Sequence, residues 1–389
     1  MTSRRVVLRR RWVRAGLTAM AALLAVAAVL VVLVQTWEPA YVLYKRLRAS
    51  SSYVYDEIKP DHATTDPAQF LSIGTADDVE PTRAKLRAII RDGWPGGGDF
   101  ADLSNVFEIH SDELPTKNLA ELRALAPVAT LRAFRFEFGE GIQSYAVYLR
   151  PPKATGETVV LLHGFAGEFQ DARDYLVVLL ARGLSIIGLN QLGYGGNSIY
   201  QRAGERIGGA LTNLHHQVEA IPGGVFPHVA QITRAVSLAE RLDPARPVHL
   251  AGFSMGAYMV TLAAAIDPRP AVVSANSGIY PAYLRDRKQD EAVGVAAHPQ
   301  LLAAASHLDL MLLAALGERR RYLQVFNRYD RCCYSNTKGK LYEPALRARI
   351  AALGLVGDFH VVIDESHGRH KLSRLGADAL LETIAGPND

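Results

Sequence analysis

Cysteine is nearly absent from this 389-residue chain, and the two that occur, Cys332 and Cys333, are adjacent. Two neighbouring cysteines cannot build a disulfide framework, so they read as small packed thiols. Metal-ligand spacing is also missing. The pair His215-His216 has no cysteine or carboxylate at a zinc-site interval, so it reads as helix surface or pocket wall and no metal is expected. The glycine-rich stretches carry neither a P-loop lysine nor the dinucleotide spacing, so no cofactor is expected. Positive charge is concentrated at one end. Arg4, Arg5, Arg9, Arg10, Arg11 and Arg14 all precede the first acidic residue, and without these six the chain's net +4 becomes −2. The basic balance belongs to this tail, so nucleic acid is not an expected partner.

Charge is missing altogether from Ala15 to Val34, twenty residues dominated by Ala, Val and Leu. As a helix this run is about 30 Å long, the thickness of a bilayer core. Arginines stand before it, and Trp37 and Tyr41 stand at its far edge, as in an interfacial aromatic belt. The reading is a membrane anchor with the N-terminus cytoplasmic and the rest of the chain periplasmic or extracellular. Lys45, Arg46 and Arg48 dilute that asymmetry without reversing it. A cleaved signal peptide is the alternative. The length of the run, and the lack of an A-x-A-like site after it, speak against cleavage.

The expected organisation is a basic cytoplasmic tail over 1–14, a transmembrane anchor over 15–35, a membrane-proximal extension over 36–130 and a main α/β domain over 131–389. The extension is punctuated by Pro60, Pro67, Pro81, Pro95 and Gly96-Gly97-Gly98. Within it, Pro81–Asp92 has helical spacing with Arg and Lys on an outer face, and Lys117–Leu125 reads as another short helix. No chemistry is assigned to it.

From Leu131 onward the pattern changes. Arg132–Phe138 and Gln143–Leu149 alternate around Gly139-Glu140-Gly141, which predicts an antiparallel hairpin. Thr158–Leu162 (TVVLL) is continuously apolar, as a strand buried on both faces should be. Arg173–Arg182 is an amphipathic helix ended by Gly183. Further strands are expected at Leu184–Leu189, Val248–Ala251, Ala271–Ala275, Tyr322–Phe326 and Phe359–Ile363, with helices between most of them. Alternating β and α units imply a mostly parallel sheet flanked by helices.

The stretch Gly252-Phe253-Ser254-Met255-Gly256 is G-x-S-x-G, between an expected strand and an Ala-rich helix, Ala257–Ile266. At a sharp strand-to-helix turn, glycines two residues to either side let the backbone close, and the serine hydroxyl is exposed above the sheet. The Met255 N–H then sits at a helix N-terminus, where a developing oxyanion would be stabilised.

Hairpin, strand with His163-Gly164, strand with a Gly-x-Gly loop, strand with the G-x-S-x-G turn, strand, strand with Asp, strand with His: this order over Leu131–Ala385 resembles the α/β-hydrolase superfamily of esterase- and lipase-like serine hydrolases. The resemblance implies Ser254 as nucleophile, with an acid and a base following in that order. The base is expected at His367, in the loop past the last strand with Gly368 behind it. It is preferred to His360, which lies within the strand, and to His370. The acid is expected at Asp330. Asn327 stands where many members have glycine, and Asn tolerates the left-handed backbone such a turn uses. Asp364, three residues before His367, is the rival acid and reads as a brace for the loop. The oxyanion hole implied is the backbone N–H of Phe165 and of Met255, with His163 shaping the loop through a backbone hydrogen bond.

Asn190–Ser198 resembles the G-x-G-x-S loop of these enzymes. Two long insertions, at 195–227 and at about 278–320, are placed to shape the pocket, and the second is where the superfamily carries a small helical cap. Leu301–Leu316 is strongly apolar and reads as a core helix or as a lid helix. The function expected from the whole is a membrane-anchored serine hydrolase acting on small-molecule or lipid-like carboxylic esters through an acyl-enzyme. An acyltransferase, a peptidase and a non-catalytic scaffold on the same fold are the alternatives.

Overall fold

The computed structural model describes residues 2–386 except 48–57, 95–97, 116–118, 126–127, 140, 166, 195–196, 198–199, 203–204, 208–222, 286–293, 331–333 and 335–336. The expectations at His215-His216 and Cys332-Cys333 lie outside the described residues.

Nine strands form one sheet. Three are antiparallel at its first edge: β1 (Val106–Ile109), β2 (Thr130–Glu137) and β3 (Gln143–Arg150). They are followed in the chain by β4 (Thr158–Leu162) and β5 (Ser185–Leu189). A separate two-stranded ribbon, β6 (Tyr200–Arg202) with β7 (Glu205–Ile207), precedes β8 (Val248–Phe253), β9 (Val272–Asn276), β10 (Arg321–Asn327) and β11 (Asp358–Asp364). The order across the sheet is β1-β2-β3-β5-β4-β8-β9-β10-β11. From β5 to β11 all neighbours are parallel. The chain steps from β4 to β5 in one direction, then crosses to β8 and runs to β11 in the other. That reversal beside β4 opens a crevice at the carboxyl ends of the strands, where open α/β sheets bind their ligands.

Side-chain alternation explains the two layers. In TVVLL, Val159 and Leu161 point to one face and Val160 and Leu162 to the other. The first pair packs with Tyr175 and Leu176 of α6 (Arg173–Ala181) and with Ala377 and Leu380 of α12 (Arg374–Ala385). The second pair packs with Val229 of α7 (Val225–Leu242), Met259 of α8 (Met255–Ile266) and Leu313 of α10 (His307–Ala315). The chain also holds α3 (Pro60–Thr64), α5 (Leu119–Ala124), α9 (Pro299–Ala304) and α11 (Gly339–Ala352).

The sheet begins earlier than the sequence reading has it. β1 lies inside the expected extension, yet its residues Val106, Phe107, Glu108 and Ile109 pair with Phe136, Arg135, Phe134 and Ala133. Preceding it, α4 (Val79–Arg91) buries Leu86 and Ile90 in the main core. Its basic face is not all solvated as expected. Arg83 is buried and donates to the Leu313 carbonyl (2.9 Å) and, more weakly, to the Leu316 carbonyl (3.4 Å). These carbonyls end α10 and have no partner within it, so the guanidinium caps the helix while its stem lies on apolar surface.

The apolar run Leu301–Leu316 takes the core role of its two readings. Every residue of His307–Ala315 is buried. Ser306 caps it, accepting from the Asp309 N–H (3.0 Å). The Asp309 carboxylate accepts from the Ser306 N–H (3.0 Å) and from the N–H and hydroxyl of Ser72 (2.9 and 2.8 Å). Of the two interruptions, Asp309 is therefore the helix's capping and docking group, while Nε2 of buried His307 stands 2.9 Å from the Arg285 guanidinium.

At the N-terminus α1 (Thr2–Thr36) leads into α2 (Glu38–Leu47). Gly16–Thr36 is 21 residues with a mean hydropathy of 2.9 and no part buried. It is long and apolar enough to cross a membrane, properties that an export signal shares.

Candidate active site

The carboxyl ends of neighbouring strands are laced together one residue past the sheet. The Ser254 N–H donates to the Asn276 carbonyl (2.9 Å), the Ser277 N–H to the Val325 carbonyl (2.8 Å) and the Arg328 N–H to the Asp364 carbonyl (2.9 Å). The loops that follow β8, β10 and β11 therefore leave the sheet side by side.

Ser254 sits between β8 and α8 with φ 55° and ψ −120°. A non-glycine residue held there costs about 1–3 kcal/mol and persists only where its surroundings enforce it. The flanking glycines do so. A side chain at Gly252 would run into the Gly256 carbonyl, one at Gly256 into the Leu162 carbonyl, and one at Gly278 into the Ser254 carbonyl. Met255 opens α8, at the position expected of it.

The loop after β4 closes over this turn. A Cβ on Gly164 would stand 2.8 Å from the Ser254 Cβ and 3.0 Å from the Phe253 carbonyl. Only bare backbone fits, which brings the chain leading into Phe165 up to Ser254. Gln191, just past β5, holds the loop by donating to the His163 carbonyl (3.2 Å). The His163 ring packs on Phe253 at 5.2 Å, with Nδ1 3.4 Å from the Gly164 carbonyl. Burial pushes its pKa down, so the ring is neutral. Phe165 is half-buried with its ring 5.1 Å from that of Tyr194.

Asp330 follows β10, is 1% exposed, and does not meet His367 as expected. Its Oδ2 lies 2.5 Å from Nδ1 of His370. The His370 ring packs against that of Phe253, the residue before Ser254, with centroids 4.5 Å apart and planes tilted by 39°. The pairing occupies Nδ1 and leaves Nε2 as the ring's other nitrogen, while the side chain keeps 20% exposure.

His367 has both nitrogens engaged elsewhere. Asn327 Oδ1 accepts from the Tyr329 N–H (3.0 Å), which fixes its amide so that Nδ2 donates to the Arg369 carbonyl (2.7 Å) and faces His367 Nδ1 at 3.0 Å. A donor facing Nδ1 needs a lone pair there, so in the neutral ring the proton sits on Nε2, 3.2 Å from Asp364 Oδ2. A ring held this way has no nitrogen for a serine. Asp364 also accepts from the Ser366 N–H (2.7 Å) and the Ser373 hydroxyl (2.5 Å). Burial alone would raise its pKa, but the hydrogen bonds from His367, Ser366 and Ser373 outweigh burial and hold the carboxyl well below the usual carboxylate range. Asp364 is thus the loop's brace. His360, within β11, bonds the Thr383 hydroxyl at 3.2 Å.

Asn327 lies outside the left-handed region. The turn uses its side chain instead of an unusual backbone, a role the sequence reading missed. The spacing held one unused clue to His370: Asp364-x-x-His367 already supplies a histidine with a carboxylate, which leaves Asp330 for the histidine three residues further on. In the Asn190–Ser198 loop, buried Asn197 accepts from the Tyr145 N–H (3.0 Å) and donates to the Asn190 carbonyl (2.8 Å), pinning the loop to β3.

The strand order, the strained serine and the laced loops define an α/β-hydrolase fold. A family model described as the alpha/beta hydrolase fold matches residues 157–294. Among solved structures, acetyl xylan esterase 1 from Thermoanaerobacterium sp. JW/SL YS485 superposes with a TM-score of 0.51 at 13% identity, covering 86% of this chain and 100% of that one. Methylesterase BT1017 superposes with a TM-score of 0.54 at 13% identity, covering 80% of this chain and 64% of its own. A search of curated protein sequences finds no match. At these identities the likeness to these neighbours shows the fold alone.

Proposed function

We propose that this protein is a membrane-anchored serine esterase with Ser254 as nucleophile, His370 as general base and Asp330 as the carboxylate that orients it. The observation that carries the reading is the strained Ser254 turn beside a histidine that packs against Phe253 and is bound to a buried aspartate. A serine hydroxyl is unreactive at neutral pH without such a base, and the base needs a fixed tautomer. With Asp330 on Nδ1–H, Nε2 of His370 takes the proton as Ser254 Oγ attacks the ester carbonyl. The tetrahedral oxygen is held by the backbone N–H groups of Phe165 and Met255, each worth about 3 kcal/mol. The C–O bond then breaks, and the alcohol leaves with the proton from His370. Water, deprotonated by the same nitrogen, attacks the acyl-enzyme. The acid is released and Ser254 regains its proton.

Esters are favoured over amides by analogy with the acetyl- and methylesterase neighbours. The Gly16–Thr36 helix supports a membrane anchor, and the arginines before it favour a cytoplasmic tail with the esterase domain on the opposite side.

A fluorophosphonate probe tests the reading. Wild type is expected to label, and Ser254→Ala to lose both label and turnover of 4-methylumbelliferyl acetate. A folded wild type that neither labels nor turns over ester would make the fold a scaffold here. Faster release from matched amides would make the protein a peptidase, and preferential transfer to an added alcohol an acyltransferase.

A further inference from the structure

The end of the apolar helix is built into the rim that carries Asp330 and His370. α1 and α2 meet at Trp37, a single non-helical residue whose N–H bonds the Leu33 carbonyl (2.8 Å) and whose carbonyl accepts from the Tyr41 N–H (3.1 Å). Tyr41 then packs against Gly368, where any side chain would collide with its ring, and donates its hydroxyl to the Tyr329 carbonyl (3.3 Å). Glu38 accepts from the Gly368 N–H (3.1 Å) and stands 3.5 Å from the Lys371 ammonium. Tyr41, Val42 and Tyr329 are buried together against Val34. Gly368 and Arg369 share a small crevice with Val34, Gln35, Thr36 and Trp37. α2 therefore touches the loop of Asp330 at Tyr329 and the loop of His370 at Gly368 and Lys371.

Distance gives this contact its meaning. Five residues separate Thr36, the end of the apolar run, from Tyr41, a rise of about 8 Å along the helix. The polar layer on each side of a bilayer core is about 5–8 Å deep. With Gly16–Thr36 in the membrane, Gly368 lies at headgroup depth and His370 only two residues beyond it. Ester carbonyls of lipids lie at the inner edge of this polar layer, where the apolar chain meets the polar head, level with the crevice that Gly368 and Arg369 share with Thr36 and Trp37.

We propose that the site takes an ester dissolved in the bilayer, reached at the membrane surface while its apolar chain stays in the lipid. The inference rests on the serine-esterase reading and on retention of α1 as the span. It adds that the docked helix holds the rim at the depth where such an ester lies.

The full-length protein in phosphatidylcholine vesicles tests it, with 4-methylumbelliferyl oleate as the bilayer ester and the acetate as the water-soluble one. At fixed total ester, about tenfold more phosphatidylcholine is expected to lower oleate turnover about tenfold and leave acetate turnover unchanged. Inserting seven helix-forming residues between Thr36 and Trp37 adds about 10 Å and keeps the helix face within about 20°. This lift is expected to lower oleate turnover at least tenfold and to spare the acetate. The proposal is overturned if oleate turnover ignores surface dilution, if the lift leaves the oleate-to-acetate ratio unchanged, or if acetate is cleaved and Ser254 labels while oleate is untouched. Failure of the esterase reading looks different: neither ester is cleaved and Ser254 does not label.

Discussion

Two histidines three positions apart take different carboxylates, and the difference decides which can act as a base. His370 gives Nδ1 to Asp330, whereas His367 spends both nitrogens on Asn327 and Asp364. Replacing His370 by Ala is expected to lower kcat on the acetate ester by about 10³-fold or more. His367→Ala is expected to act on stability and to spare turnover. It strands a buried carboxylate and costs about 3 kcal/mol, read by urea unfolding, while kcat falls less than tenfold. Asp364 adds a pH signature. Its folded pKa lies below its unfolded value of about 3.9, so its stabilisation is complete above that pH and fades as pH falls toward the folded value. The gap in melting temperature between wild type and Asp364→Asn should be full at pH 6 and shrink below about pH 4. A gap independent of pH would show that the ionised carboxylate is not the stabilising species. At this scale the tight Ser254 turn and the strand that leads to Asp330 were legible because turn chemistry is local. The partner of each histidine was not, because it depends on how Asn327, at the end of the neighbouring strand, orients its amide.

At the scale of elements, the sheet was legible where burial is two-sided. TVVLL admits little else, and the glycines around Ser254 announce a tight strand-to-helix turn. β1 escaped notice because only Val106 of its four residues is buried, so neither alternation nor a continuous apolar run marks it. Burial of Arg83 was hidden for a related reason. An arginine on an amphipathic helix reads as solvated until another helix's terminal carbonyls arrive beside it. The packing of the β4 loop on the serine turn yields its own prediction. In Gly164→Ala the new methyl must push away from the Ser254 Cβ, 2.8 Å off, and shift the chain leading into Phe165. Turnover is expected to fall by about 10²-fold through a displaced oxyanion donor, with overpacking costing about 1–3 kcal/mol. Wild-type kcat in this variant would remove Phe165 from the proposed oxyanion hole.

For the whole molecule the open choice is between a helix that is retained and one that is removed. The sequence supplies a long apolar run after six arginines, which suits an anchor and also passes the length test for an export signal. The fold adds a consideration that composition could not. The turns immediately after the span are docked, with Glu38 on Gly368 and Lys371, and with Tyr41 on Gly368 and Tyr329. A segment that seats the two loops bearing Asp330 and His370 has a task after export, whereas an export signal has none. Expressed in a bacterial inner membrane, the protein is therefore expected to stay in the pellet through an alkaline carbonate wash. An epitope placed before Thr2 should remain intact when protease digests the exposed domain of spheroplasts, as the proposed topology, with the arginine tail and the domain on opposite sides of the bilayer, requires. A soluble exported product that has lost the epitope would remove the anchor, and with it the reason to place the rim at headgroup depth. The Ser254 chemistry would stand untouched, since strain, aspartate and imidazole all belong to the sheet's own loops.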